Sequence, residues 1–241
     1  MIGGERYSSD SDITKCVGWF RSLMSTTVWF LTGNKGKLRE AQHHLAPLGY
    51  EVRQFVVEEG TIVEPQHERL VDVALEKLRQ ARLLKPEDDS LVMVEDAGLF
   101  IESLGDFPGV FSSYIHSTIG LHGILRLLNH VQSDDPEQNS QLRKARFEAC
   151  IAIWKDGEVL IAEGICHGSI ANEIRGEGGF GFDPLFIPAD LDIAEQSIAS
   201  KATGLLSAHG RTFAEMTTNE KNEFSHRRKA IDHLLQQLSH H

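Results

Sequence analysis

The first half of the chain alternates short apolar runs with stretches of helical periodicity. Residues 28–31, 51–57 and 91–94 have the length and composition of strands. Between them, apolar residues recur at spacings of three and four in residues 38–48 and 70–81, which predicts one amphipathic helix in each stretch. Strands and helices that alternate in this way are typical of an α/β fold.

The second half changes to a period of two. Apolar residues alternate with other residues over 145–153, Asp156-Gly157 is a strong hairpin signal, and residues 159–174 return as a long strand. Residues 132–143, just before this hairpin, are polar and predict a loop. A hairpin beside strands and helices implies a mixed sheet, so the predicted fold class is α/β with an antiparallel portion.

The C-terminal part supplies a loop, an unassigned segment and a helix. Residues 175–184 contain glycines around an aromatic and an acid. This loop either lets the backbone approach a flat ligand closely or has no function. Residues 189–210 are either a helix or an ordered insertion. Thr217 and Glu220 fit a capping box, which predicts a helix from there to about residue 238.

Two turns carry the candidate chemistry. Glu95-Asp96 directly follow the apolar run 91–94, so their carboxylates are expected at the carboxyl end of a strand, where they would suit a divalent cation. The alternative is an acidic turn that caps an ordinary buried strand. Residues 32–37 lead into a helix with two glycines and two lysines, which predicts a phosphate site, although such connections are common. The spacing excludes a P-loop.

Composition narrows the function classes. The 241 residues carry a formal net charge of −11, which argues against non-specific binding to nucleic acid or acidic membranes. No apolar stretch approaches the ~20 residues of a spanning helix, so no membrane partner is expected. Three cysteines without zinc or CxxC spacing are interpreted as reduced thiols. They predict a cytoplasmic protein in which Cys150 and Cys166 are small core residues.

Residues 1–27 form an N-terminal extension whose apolar positions fit an amphipathic helix. Three interpretations are open: an added docking helix, a targeting peptide, or an upstream extension in which Met24 is the true start. Glu5, Asp10 and Asp12 count against a mitochondrial transit peptide, and the extension has no continuous apolar core of a secretory signal. The docking and upstream-start interpretations are therefore favoured.

Several motifs recur together in one known family. From about residue 28 to residue 238 the chain resembles the Ham1-like inosine triphosphate pyrophosphatases, because unrelated motifs occur in the same order. These motifs are Thr32-Gly33-Asn34-Lys35-Gly36-Lys37, Glu64, Lys77, Glu95-Asp96, Phe180-Gly181-Phe182-Asp183-Pro184, Thr212-Phe213-Ala214-Glu215-Met216, Lys221-Asn222 and Ser225-His226-Arg227. The resemblance implies a single domain with an elongated mixed β-sheet, flanking helices, two lobes around a central cleft, and a homodimer.

The resemblance also implies the chemistry. Family members use magnesium to hydrolyse ITP, dITP and XTP to the monophosphate and pyrophosphate. Glu64 and Asp96, with Glu95 as a possible third ligand, are therefore expected to bind Mg²⁺, while Asp96 acts as general base and Lys37 stabilises phosphate charge. The implied substrate-binding residues are Thr32, Gly33, Asn34, Lys35, Lys37, Lys77, Ser113, Phe180, Gly181, Phe182, Asp183, Lys221, His226 and Arg227.

Two positions depart from the family pattern. Ala97 stands where a hydroxyl is common after the second acid, and Ser113 lies near a position where some members have a lysine. For base recognition, the 6-keto group of a purine can accept a hydrogen bond from Arg227 or from a donor form of His226. The 6-amino group of adenine is itself a donor and would face these donors without an acceptor.

The alternative functions are a pyrophosphatase with altered base specificity and a nucleotide-binding protein without catalysis.

Overall fold

The computed structural model describes residues 26–58, 60–85, 90–192 and 206–240. Its strands are β1 (Thr26–Leu31), β2 (Tyr50–Phe55), β3 (Leu91–Ile101), β4 (Phe107–Gly109), β5 (Lys144–Lys155), β6 (Glu158–Ile170) and β7 (Phe186–Pro188). Its helices are α1 (Lys35–Leu45), α2 (Leu70–Arg82), α3 (Ser112–Thr118), α4 (Gly120–Asn129), α5 (Pro136–Leu142), α6 (Thr218–Phe224) and α7 (His226–His240). The predicted helix in the N-terminal extension and residues 193–205 of the unassigned segment lie outside the described residues.

The strands of the described residues form one mixed sheet in the order β2-β1-β3-β5-β6-β7, and β4 also pairs with β3. Strand β1 is parallel to β2 and β3, whereas the other pairs are antiparallel. Asp156 and Gly157 join β5 to β6 with positive φ angles of 49° and 94°, as the hairpin signal predicts. The predicted α/β fold with an antiparallel portion is confirmed.

Strand β3 changes its neighbour part-way along its length. Its first part pairs with β1 as far as Leu31 and Val94, and its last part pairs with β4 from Leu99 and Gly109 onward. Between these two pairings, no strand of the described residues covers this side of residues 95–98, while β5 covers the other side. The gap opens a crevice at the carboxyl ends of the parallel strands, where open α/β sheets bind ligands.

Three clusters of buried apolar side chains pack around the sheet. Two lie on opposite faces of its first part, one joining β1 to α1 and α7 through Phe30, Leu45 and Leu234, the other joining β3 to α2. The third surrounds the far end of β3 and includes Leu99 and Ile124 of α4. Because the cores lie at both ends of the sheet, they form two lobes with the crevice between them.

The expectation that Glu95-Asp96 end their strand is wrong. Strand β3 continues for five residues to Ile101. Gly98 permits this continuation, since a Cβ there would collide with the backbone carbonyl of Gly109 on β4. What ends at the two acids is the parallel pairing with β1, so they still lie at a strand-end crevice.

Two other boundaries also differ from prediction. Residues 132–143 are not only a loop, because Asp135 caps a short helix that Pro136 begins. The predicted C-terminal helix is in fact two helices. Its Thr217–Glu220 capping box is present, but Ser225 has a ψ of 126° and separates α6 from α7. His226 and Arg227 therefore start a new helix that can aim at the crevice independently of α6.

Candidate active site

The crevice beside residues 95–98 is a cleft of about 680 Å³. Every predicted site residue except Lys35 lines it. The lining residues that the sequence predicted are Thr32, Gly33, Asn34, Lys37, Glu64, Lys77, Glu95, Asp96, Ser113, Phe180, Gly181, Phe182, Asp183, Lys221, His226 and Arg227. Lys35 is exposed at the start of α1 and does not line the cleft.

Asn34 shapes the turn between β1 and α1. Its Oδ1 accepts hydrogen bonds from the backbone N–H groups of Gly36 and Lys37, at 2.8 and 3.2 Å, and so caps α1. The backbone N–H of Asn34 donates to Thr32 Oγ1 at 3.1 Å. Because the cap uses two helix N–H groups, a phosphate at this turn would rely on the Lys37 ammonium and the helix dipole.

Glu95 and Asp96 face opposite sides of the sheet, as successive strand residues do. Glu95 lies on the side of α1 and α7, where Arg227 Nε donates to both carboxylate oxygens at 2.8 Å. Lys37 Nζ donates to the Glu95 backbone carbonyl at 3.2 Å and lies 3.8 Å from its Oε1. Burial lowers the pKa of Lys37, although the charges of Glu95 and Asp96 oppose that shift.

Asp96 lies on the side of α2, which supplies Lys77. The Lys77 Nζ is 3.0 Å from Asp96 Oδ1 and 2.6 Å from Glu64 Oε1, so one ammonium group bridges two carboxylates. Burial raises the pKa of Asp96 against the opposing charges of Lys37 and Lys77. Burial would lower the pKa of Lys77, but Asp96 and Glu64 outweigh it and raise that pKa.

A fourth acid, Glu40 of α1, joins Lys221 to Arg227. Lys221 Nζ lies 3.2 Å from Glu40 Oε1 and 2.8 Å from Asp183 Oδ2, and Arg227 Nη1 donates to Glu40 Oε2. Burial would raise the pKa of Glu40, but the two cations outweigh burial and lower it. This wall of the cleft is therefore an alternating network of buried acids and cations.

Asp183 also fixes the glycine-rich loop. Its Oδ2 accepts the Phe180 N–H at 2.8 Å, and Gly179 has a φ of +70° where a Cβ would collide with the Asp183 carboxylate. The Phe180 ring then lies 4.7 Å from Lys221 Nζ and 5.4 Å from the Arg227 guanidinium carbon. Phe182 packs into the apolar core instead, although part of it lines the cleft.

His226 is the first residue of α7 and is 4% exposed. Its ring stacks on Phe147, with centroids 4.8 Å apart and planes 14° apart. Burial, with help from nearby cations including Arg227, lowers the pKa of His226 well below its usual value, so the ring is neutral at pH 7. Its Nδ1 is buried and makes no hydrogen bond with any described residue.

The Ham1 family model matches residues 28–237 of this chain. The chain belongs to the Ham1 family. A dITP/XTP pyrophosphatase from Thermococcus kodakarensis is 43% identical over 202 residues, which cover 84% of this chain and 91% of that protein. A dITP/XTP pyrophosphatase from Hyperthermus butylicus is 40% identical over 216 residues, covering 90% and 96%.

Solved Ham1 structures share the fold. A HAM1 protein from Coxiella burnetii matches with a TM-score of 0.64 and 27% identity, covering 90% of this chain and all of that one. A nucleoside-triphosphatase, also titled dITP/XTP pyrophosphatase, from Mycobacterium abscessus matches with a TM-score of 0.60 and 29% identity, covering 88% and 100%. The likeness therefore extends over nearly the whole of both solved chains.

Within this Ham1 fold, the described residues contain no group of three His, Cys, Asp or Glu side chains that could hold a metal by themselves. Glu95 is engaged by Arg227, which leaves Glu64 and Asp96 as the acids on the α2 side. Mg²⁺ is often held by one or two carboxylates together with substrate phosphates. The two acids fit that pattern, and the Lys77 ammonium already shows that a positive charge is stable between them.

Two residues at the cleft were not predicted. His116 lines it, and Glu40 holds two of its lining residues, Lys221 and Arg227. Glu40 follows Arg39 and lies off the apolar positions of its helix, so the sequence pattern there is that of a solvent-exposed face. Its partner Arg227 is 187 residues away. His116 of α3 lines the cleft and meets the Phe182 ring edge-on at 5.3 Å. No short-range sequence signal distinguishes either residue from a surface position.

Gly164 of β6 is a further missed residue, and it positions α7. A Cβ at Gly164 would collide with the His226 carbonyl oxygen and the Ala230 backbone nitrogen. The glycine therefore lets the first turn of α7 rest directly on the sheet. This contact sets the depth at which His226 and Arg227 enter the cleft.

Cys150 and Cys166 are buried core residues, as predicted, and burial raises the pKa of each thiol to about 12. These thiols are therefore unreactive at neutral pH. Cys16 lies outside the described residues. Among the helices that the structure describes, none has the length and apolar character needed to cross a membrane.

Proposed function

We propose that this Ham1 family chain hydrolyses the non-canonical purine nucleoside triphosphates ITP, dITP and XTP to the nucleoside monophosphate and pyrophosphate. Relatives named dITP/XTP pyrophosphatases, 43% and 40% identical, support this reaction. The observation that carries the proposal is that one cleft holds Asp96 and Glu64 on one side and the cations Lys37, Lys221 and Arg227 on the other. Such a cleft suits a polyanion whose phosphate is to be attacked by water.

Magnesium is the proposed cofactor, with Glu64 and Asp96 as the residues that would hold it. When bound, Mg²⁺ supplies charge neutralisation to the phosphate oxygens. Glu95 supports the site differently, because its carboxylate is taken by Arg227. We therefore assign Glu95 to holding Arg227 and Lys37 in position rather than to the metal.

Asp96 is the proposed general base. Its carboxylate would accept a proton from the water that attacks the α-phosphorus. A bond forms between the water oxygen and the α-phosphorus, the bond between the α-phosphorus and the α,β-bridging oxygen breaks, and pyrophosphate leaves. Burial raises the pKa of Asp96, which strengthens it as a base. Lys37 and Lys221 would stabilise the charge on the transferring and leaving phosphates.

Base selection is assigned to His226, Arg227 and Phe180. Arg227 is a hydrogen-bond donor at every accessible pH, and the unpartnered Nδ1 of neutral His226 can donate in one tautomer. A 6-keto purine satisfies such donors, whereas the 6-amino group of adenine leaves them unpaired at a cost. Phe180, beside both Lys221 and Arg227, would stack on the base.

We also propose a single two-lobed domain over residues 28–238, a cytoplasmic location and a homodimer. The dimer has some support from exposed apolar side chains around α3, where Tyr114 is 67% and Phe111 47% exposed. Sedimentation equilibrium tests it: the wild type should have twice the chain mass of 26.9 kDa, and Tyr114→Glu should shift it toward a monomer. A monomeric wild type would exclude the dimer.

Product analysis tests the proposed reaction. With ITP and Mg²⁺, IMP and pyrophosphate should form in equal amounts, and a chelator should stop the reaction. Formation of IDP and phosphate would contradict attack at the α-phosphorus. Nucleotide binding without any product would instead favour a catalytically silent binding protein.

A further inference from the structure

A second cavity lies away from the catalytic cleft, between α5 and the end of β6. Its volume is about 470 Å³, and Arg143 and Arg175 both line it. None of its lining residues lines the cleft described above. The proposed function assigns no role to this cavity.

Arg143 is a buried cation whose described partners are all neutral. It is 7% exposed, and its Nε and Nη2 donate to the backbone carbonyls of Ile170 and Ala171 at 2.8 and 2.7 Å. No carboxylate of the described residues forms an ion pair with it. Since a buried charge without a counter-charge is costly, the site favours an anion.

Arg175 adds a second cation with an unused donor. Its Nη2 donates to the Gly210 carbonyl at 2.6 Å and lies 3.6 Å from Glu215 Oε2, but its buried Nε has no hydrogen-bond partner among the described residues. Asn139 also lines the cavity, but its buried unpartnered atom is Oδ1, an acceptor, which does not bind an anion. Glu173 lines the cavity as an exposed residue, and no ion pair joins it to either arginine.

We propose that this cavity, which we name the Arg143 cavity, binds a small phosphate-type oxyanion. Guanidinium groups match the geometry of phosphate oxygens, and charge-assisted bonds of this kind are about twice as strong as neutral ones. The anion would neutralise Arg143 and accept a hydrogen bond from Arg175 Nε. This inference is independent of the proposed pyrophosphatase reaction.

A matched pair of variants tests the proposal without disturbing the bonds of Arg143. Ser140 is exposed at the cavity, so Ser140→Glu and Ser140→Gln differ in charge but little in size. The new carboxylate would act as an internal counter-ion, whereas the amide would not. Arg175→Gln removes one cation, and Arg126→Gln is the control for loss of an exposed arginine on α4.

Calorimetric titration with inorganic phosphate, pyrophosphate and IMP, in chloride buffer, provides the readout. In addition to any binding in the cleft, one further binding event should be present in the wild type, Ser140→Gln and Arg126→Gln, about tenfold or more weaker in Arg175→Gln, and absent in Ser140→Glu. The three ligands distinguish a free inorganic oxyanion from a nucleotide phosphate as the source. The cleft also attracts phosphates, but Ser140→Glu leaves that binding in place.

The proposal is overturned if Ser140→Glu and Ser140→Gln bind all three ligands equally, or if the wild type binds none of them outside the cleft. A crystal soaked in phosphate gives a second readout. Density for an oxyanion against Arg143 and Arg175 supports the site, and water alone in the cavity contradicts it.

Discussion

The Nε atom of Arg227 lies 2.8 Å from both carboxylate oxygens of Glu95, and both side chains are 2% exposed. The pair joins the first turn of α7 to the middle of β3, across 132 positions of sequence. A buried ion pair of this kind is costly to break, because the remaining charge loses its partner. Glu95 therefore holds Arg227 at the base-reading wall of the cleft.

Glu95→Gln should destabilise the protein by about 3 kcal/mol, since the substitution leaves Arg227 buried with Glu40 as its main counter-charge. Urea unfolding at pH 7 measures the change. Glu51→Gln is the matched control: its pair with Arg53 is about half exposed and should be worth under about 1 kcal/mol. If Glu95→Gln and Glu51→Gln have the same unfolding free energy, the proposed structural role of Glu95 is wrong.

Asp96→Asn should lower kcat for ITP by roughly a thousandfold or more, because the amide cannot accept the proton of the attacking water. Nucleotide binding should remain measurable by calorimetry, since Lys37, Lys221 and the base-reading residues are unchanged. Turnover close to that of the wild type would show that Asp96 is not the base.

Stability should fall between pH 7.5 and 5.5 because of His226. Its pKa in the folded protein is lowered well below 6.5, so below that pH the unfolded chain binds a proton that the folded chain does not. The unfolding free energy should decrease by about 1 kcal/mol more in the wild type than in His226→Phe, which keeps a ring against Phe147. His130→Gln, at an exposed position, should retain the wild-type dependence. The same pH dependence in His226→Phe would contradict the assignment.

Gly164→Ala should destabilise the protein by about 2 kcal/mol and weaken nucleotide binding, because the methyl group would push α7 away from β6. Thermal unfolding and calorimetric binding of ITP in the Asp96→Asn background provide the two readouts. Gly33→Ala is the control for stability, since a Cβ at Gly33 would meet no atom within 4 Å. If both variants melt like the wild type, the close packing of α7 is unimportant.

Local sequence patterns were sufficient to predict those structural features that depend on only a few neighbouring residues. The Asp156-Gly157 hairpin and the Thr217–Glu220 capping box were predicted because turn and cap chemistry is short-range. The helix after the first turn was also predicted, over residues 38–48, but it begins three residues earlier, at Lys35. The continuation of β3 beyond Asp96 was not, since it depends on β4 pairing across Gly98. Ser225 was also missed, because a serine inside a helical pattern does not by itself signal a break.

The candidate site shows the same division. The order of the motifs predicted residues that do line one cleft, but it did not predict which of them contact each other. Only the structure shows that Lys77 bridges Glu64 and Asp96, and that Asp183 holds Lys221 and Phe180. Lys35 sits in the expected motif and yet points outside the cleft lining. The ion pairs Lys77–Asp96 and Lys221–Asp183 join residues 19 and 38 positions apart, which periodicity cannot reveal.

The most direct test of the account compares kcat/KM for ITP and ATP with Mg²⁺ under identical conditions, with pyrophosphate as the measured product. Donors at His226 and Arg227 should favour ITP by roughly a hundredfold or more, because adenine would leave them unpaired. Equal values for ITP and ATP, or no pyrophosphate from ITP, would contradict the claim that this cleft hydrolyses keto-purine triphosphates.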